Sequence, residues 1–190
     1  WITAQDLSQW AARRDGPAGF PELISRLIVV SCGPVALRFP ADESILHSGW
    51  DGIAEATVAT AFVPEGLSVW ELGAQRQRIE RKAEDDYAKR TTEPLGVNPA
   101  ESTYMFVTPH RWPHKDEWAA AKRAEGIWKD VRVLDGDSLV HWLELHAGVA
   151  EWFAVRIGRR PVGLRNLSEV WEEWSLATKH PLTPEIVGAD

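Results

Sequence analysis

The chain has 190 residues, a formal charge of −7 and 44% apolar residues. That size suits one domain with a peripheral extension, and the apolar share is enough for a sizeable core. The acidic balance argues against a protein that coats DNA generically, and a single cysteine, Cys32, excludes a disulfide framework or a cysteine-rich metal site.

Cysteine usage points to a reducing compartment, so a cytoplasmic location is expected, with Cys32 as a small buried hydrophobe rather than a catalytic thiol. No apolar run approaches the length of a membrane span, and the opening WITAQDLSQW has no basic leader. The eleven tryptophans mostly neighbour charged residues at helical spacing, which favours helix packing over base stacking.

In chain order, residues 3–14 read as a helix with Thr3 as N-cap, broken by Gly16, Pro17 and Gly19. Phe20, Leu23, Ile24, Leu27 and Ile28 recur at helical spacing, so 20–31 form a second helix that Gly33-Pro34 stops. Strands are predicted at 35–39, at 52–58 and, after a turn at 64–66, at 67–73 (LSVWELG). Residues 75–91 form a charged helix with a thin apolar stripe of Ile79, Ala83 and Tyr87. A buried strand follows at 103–109, then a helix from about 110 to 125, and a strand at 130–134. A helix at 135–146 takes Asp135 or Asp137 as its cap, and two more helices lie near 148–158 and 166–177.

This order predicts an α/β fold: a mixed sheet of four to five strands flanked by helices. The domain is expected to span 1–177, with a core at 20–134 and a helical extension at 135–177. Residues 178–190 are Pro-rich and read as a linker towards a missing downstream region.

Two acids stand out by position. Asp51, in SGWDG, opens one strand, and Glu71, in VWELG, lies near the end of the next. The turn between them makes the strands antiparallel neighbours, so both carboxylates meet at one sheet edge. Glu71 sits among Val69, Trp70 and Leu72 and is costly to bury alone. A divalent cation between the two acids would offset that cost. Mg²⁺, with Mn²⁺ as a substitute, suits a pair of carboxylates completed by water and phosphate oxygens. Glu43, in the preceding loop, is a candidate third ligand. Such an ion activates water and neutralises a phosphoryl group, and a nearby lysine commonly completes the site.

The order α-β-β-β-α-β over 20–134, with Asp51 at the second strand and Glu71 within the third, resembles the PD-(D/E)XK nuclease superfamily. The likeness is nearest to the restriction-endonuclease-like modules of bacterial anti-phage defence proteins. That resemblance implies a Mg²⁺-dependent endonuclease acting on DNA, as the effector domain of a larger protein with a sensor or NTPase region and a possible homo-oligomer. The family motif places lysine where this chain has Gly73. Lys82, on the following helix, is the candidate migrated lysine; Gln75 or Arg76 are alternatives, and otherwise the site is degenerate. Glu22 matches an acid that some members carry on the second helix.

Lys82, Asp86 and Arg90 share one helix face. There Lys82 and Arg90 either contact phosphates or form a surface ion-pair ladder. In TPHRWPHK, Thr108, His110, Arg111 and Lys115 could grip a phosphate backbone, with Trp112 stacked on a base; the alternative is a turn with Trp112 packed. No histidine pair has zincin spacing, and no phosphate-cradling glycine loop occurs. Two other functions remain open: a catalytically inactive binding or assembly module, and an RNA- or nucleotide-directed hydrolase.

Overall fold

The structure is a computed structural model that describes residues 2–39, 49–159 and 167–177. The chain divides into two compact units, Trp1–Arg159 and Arg160–Asp190. The last described helix, α7 (Leu167–Ala177), belongs to the second unit.

The first unit opens with α1 (Ala4–Ala11). Thr3 caps it as its sequence position suggests, and Thr3 and Asp6 satisfy each other's amides in a capping box. Helix α2 (Gly16–Cys32) starts four residues earlier than the spacing of its large apolar residues indicates. Pro17 lies in the first turn, where its missing N–H costs no helical bond, so it begins the helix instead of breaking the chain. Gly33, at φ 51°, closes the helix in the left-handed conformation that glycine adopts freely.

Strands β1 (Ala36–Arg38), β2 (Gly52–Ala56), β3 (Gly66–Leu72), β4 (Thr103–Val107) and β5 (Asp130–Leu134) form one sheet in the order β1-β2-β3-β4-β5. The first three strands are antiparallel neighbours, and β3, β4 and β5 run parallel. The parallel pairs need crossovers, which α3 (Ile79–Thr92) and α4 (Lys115–Ala124) supply. Two helices complete the unit: α5 (Gly136–Glu144), capped by Asp135, and α6 (Ala147–Arg156). The expected α/β architecture with a mixed sheet is the one observed.

Period-two alternation divides the sheet residues between two cores. Trp70, Met105, Val107 and Leu134 pack with Leu7, Trp10, Phe20, Leu27, Trp142 and Phe153 of α1, α2, α5 and α6. Val69, Tyr104, Phe106, Val131 and Val133 pack with Ala83, Tyr87, Trp118 and Ala119 of α3 and α4. Seven of the eleven tryptophans are buried in these cores, so packing explains most of the unusual tryptophan content. Among the described residues no helix is long and apolar enough to cross a membrane.

Candidate functional site

Strand register determines where the two acids lie. Gly52 pairs with Trp70 across the antiparallel β2/β3 ladder, so one step further Asp51 lies opposite Glu71. Directly opposed residues of antiparallel strands project to the same face, here the face of Val69, Ile53 and helix α3. The Asp51 carboxylate accepts a hydrogen bond from the Leu72 amide at 2.8 Å, which ties the start of β2 to the end of β3.

Glu71 is 4% exposed and accepts a hydrogen bond from Nε of Arg90, in the last turn of α3. The same guanidinium donates through Nη2 to the Gly49 carbonyl and lies 4.9 Å from the centre of the Trp50 ring. From the middle of α3 comes Asp86, also buried, which accepts from Lys82 Nζ at 2.6 Å. Its second oxygen, Oδ2, has no hydrogen-bond partner among the described residues.

The electrostatics follow from this crowding. Burial and then the Asp51 charge push the Glu71 carboxyl up to about 8, with Arg90 opposing. Asp86 is raised by burial, with Lys82 opposing and the Asp51 charge adding to the rise. Both buried acids thus respond to Asp51 as neighbours. If all are ionised, three carboxylates (Asp51, Glu71, Asp86) against two cations (Lys82, Arg90) leave one net negative charge.

The donor chemistry suits a hard divalent cation. Among the described residues no three acidic, histidine or cysteine side chains form a closed metal cage. Mg²⁺ needs only one or two protein carboxylates, since it retains several waters, and Asp51 and Glu71 fit that requirement. The orphaned Asp86 Oδ2 adds an acceptor that a bound water would satisfy. Arg90 competes for Glu71 and is the one group present that neutralises it directly.

The other sequence-derived candidates have different fates. Lys82 joins the cluster through Asp86. Arg90 is buried in its pair with Glu71, so the expected phosphate contact gives way to an internal one. Lys115 is half-buried and donates to Asp135 at 2.6 Å and Ser138 at 2.7 Å, so it braces the start of α5. Trp112 is 5% exposed and packs its ring against Phe106 and Trp118, which corrects the expectation of a base-stacking platform. Arg111 remains exposed and pairs with Asp137. Glu22 forms surface ion pairs with Arg26 and Arg156. Glu43 lies outside the described residues.

Gly73 has a steric explanation. It lies two residues beyond Glu71, and a Cβ built on it would meet the Phe106 ring at 2.6 Å. The position where the family motif carries lysine is therefore filled by an aromatic ring of β4. Asp86 is the residue that sequence reasoning underrated. Ala83, Asp86, Tyr87 and Arg90 follow i, i+3, i+4, i+7 spacing, which marks one helix face, but two of the four are charged and read as solvated.

Comparison of the chain with protein-family models, with curated proteins and with solved structures gives no match.

Proposed function

We propose that this chain is a metal-dependent phosphodiesterase domain that hydrolyses DNA, of the restriction-endonuclease-like kind, working as the effector part of a larger prokaryotic defence protein. The observation that carries the reading is the juxtaposition of Asp51 and Glu71 on one face at the β2/β3 edge, with Lys82 and Asp86 of α3 added to them. The element order α2-β1-β2-β3-α3-β4 supports it, since it is the order of the resembled core.

In this reading Asp51 and Glu71 hold the ion, and Lys82 Nζ orients the attacking water by hydrogen bonding. The ion supplies charge neutralisation at the phosphoryl oxygens and a more acidic water. Burial holds the Glu71 carboxyl up at about 8, so an ion seated there would displace its proton and draw that titration back down. Asp86 keeps Lys82 at the site, and Asp51 holds the two strand ends in register through the Leu72 amide.

A second reading has its own observation. Arg90 already neutralises Glu71, and Phe106 occupies the place of the motif lysine. A domain that binds nucleic acid without cutting it accounts for both.

Incubation with supercoiled plasmid and Mg²⁺ or Mn²⁺ separates the readings. The proposal requires cleavage by wild type that disappears in Asp51→Ala and Glu71→Gln. DNA binding in Ca²⁺ without cleavage under any metal supports the binding module. Cleavage of single-stranded RNA in preference to the plasmid replaces DNA with RNA as substrate. Neither binding nor cleavage overturns the proposal.

A further inference from the structure

A concave site is lined by none of the residues of the carboxylate cluster. A cleft of about 550 Å³ separates α1 from the loops that follow β3 and β4. Its lining includes Gln5, Ser8 and Gln9 of α1, Arg76 of the β3–α3 loop, and His110 and Arg111 of the β4–α4 loop. We propose that this cleft binds a phosphate-bearing ligand of nucleotide size, held by Arg76 and Arg111.

Charge is the first argument. The protein as a whole is acidic, at −7, yet among the described residues no carboxylate lines this cleft, and arginine, histidine, glutamine and serine supply its polar groups. No carboxylate pairs with Arg76 among the described residues. The partner of Arg111 is Asp137, which is itself 58% exposed, and such a solvated pair contributes little and exchanges readily. Two guanidiniums at one concavity match the planar, bidentate recognition of phosphate oxygens.

Shape is the second argument. The volume falls within the range of sites that enclose small ligands and cofactors. The cleft also opens beyond the carboxyl ends of β3 and β4, where open α/β sheets with parallel strands receive their ligands.

The floor of the cleft is rigid. His110 Nε2 lies 2.8 Å from the Ala74 carbonyl, which can only accept, so the ring proton is on Nε2. In the neutral ring Nδ1 is then an acceptor, and the Ser8 hydroxyl, 2.8 Å away, donates to it. This chain of bonds fastens α1 to both loops and holds the segment that carries Arg76 in place. With Ser8 committed as a donor to His110, the groups left to meet an anion are the guanidiniums and the amides of Gln5 and Gln9.

Isothermal titration calorimetry in EDTA tests the site without any dependence on cleavage. The probes are AMP, adenosine, and a single-stranded tetranucleotide with and without a 5′-phosphate. Saturable binding of a phosphorylated probe is expected, with the unphosphorylated counterpart weaker by at least about tenfold, as loss of charged hydrogen bonds implies. Arg76→Ala, an exposed substitution, should weaken the phosphorylated probe by a similar factor at an unchanged melting temperature, and Lys82→Ala should leave it within about twofold. A stronger response to AMP assigns a free nucleotide as the source, and a stronger response to the phosphorylated strand assigns a nucleic-acid end. Equal binding of AMP and adenosine, wild-type affinity in Arg76→Ala, or no binding of any probe overturns the proposal. Because metal is absent from the measurement, a failed nuclease reading and a failed cleft are distinguishable.

Discussion

Arg90 reaches from the last turn of α3 to the carboxylate of Glu71 on β3, and both side chains are almost completely withdrawn from water. The pair links the helix to the strand that carries the central acid. Breaking such a pair from one side leaves a buried charge without a partner. Arg90→Met should therefore destabilise the fold by about 3 kcal/mol, measured by urea unfolding at about pH 9, where Glu71 is ionised. The double variant Arg90→Met/Glu71→Gln should recover much of that loss, because no charge remains to be buried. A double variant as unstable as the sum of the two singles would show that the residues act independently.

The raised Glu71 carboxyl has a consequence for stability. In the unfolded chain the group titrates near its ordinary 4.5, and in the folded protein near about 8. Below about 4.5 it is neutral in both states and its contribution is fully present. As pH rises from 4.5 to 8, ionisation favours the unfolded chain, and the contribution is lost. Wild type should thus lose stability relative to Glu71→Gln across that window, by on the order of 3 kcal/mol, and hold level above it. Mg²⁺ bound by the ionised carboxylate would reduce the loss. Parallel stability curves for the two proteins from pH 5 to pH 8 would reject the assignment.

Position 73 makes a steric prediction. A methyl group there meets the Phe106 ring, which is fully buried and cannot move freely. Gly73→Ala should cost about 1–3 kcal/mol, as overpacked cores do. In a Phe106→Leu background the same substitution should cost less, since the clashing ring edge is gone. Gly73→Lys, which restores the family spacing on paper, should unfold at lower temperature than wild type. A neutral Gly73→Ala in thermal melts would mean that the ring yields at little cost.

How far the sequence exposed all this depends on the kind of signal. The elements were legible because the strands LSVWELG and TYMFV are bounded by turns, and Leu23, Ile24, Leu27 and Ile28 keep helical phase. Asp51 and Glu71 could be paired from sequence because a turn between consecutive strands determines that they are antiparallel. The start of α2 was hidden because proline is a breaker within a helix and tolerated at its first turn, and composition alone does not say which applies. The burial of Arg90 was hidden for a different reason. A charged residue at i+4 spacing reads as solvated, and only the packing of α3 on the sheet turns that face inward. The cleft at Ser8 and His110 joins residues 102 positions apart, and no local pattern announces such a contact.

Lys82 provides the sharpest test of the proposed chemistry. Its side chain is 36% exposed, and among the described residues its ion pair is with Asp86 within the same helix. Losing it leaves the buried Asp86 carboxylate without a partner, at a cost of about 1–3 kcal/mol that protonation of Asp86 limits, so the fold weakens but should persist. Lys82→Ala should melt about 2–10 °C below wild type and remain folded at the assay temperature. Plasmid cleavage should nevertheless fall by on the order of a hundredfold, because the ammonium is the group placed to orient the water. Lys82→Arg should keep the charge and the pair with Asp86 and still cut poorly, since a planar guanidinium presents its donors in a different geometry. A purely structural lysine would give a different result: Lys82→Arg, which keeps the pair with Asp86, would cut like wild type, and the activity of Lys82→Ala would fall only in step with its folded fraction. Normal cutting by Lys82→Ala at a temperature where it remains folded would remove this lysine from the mechanism.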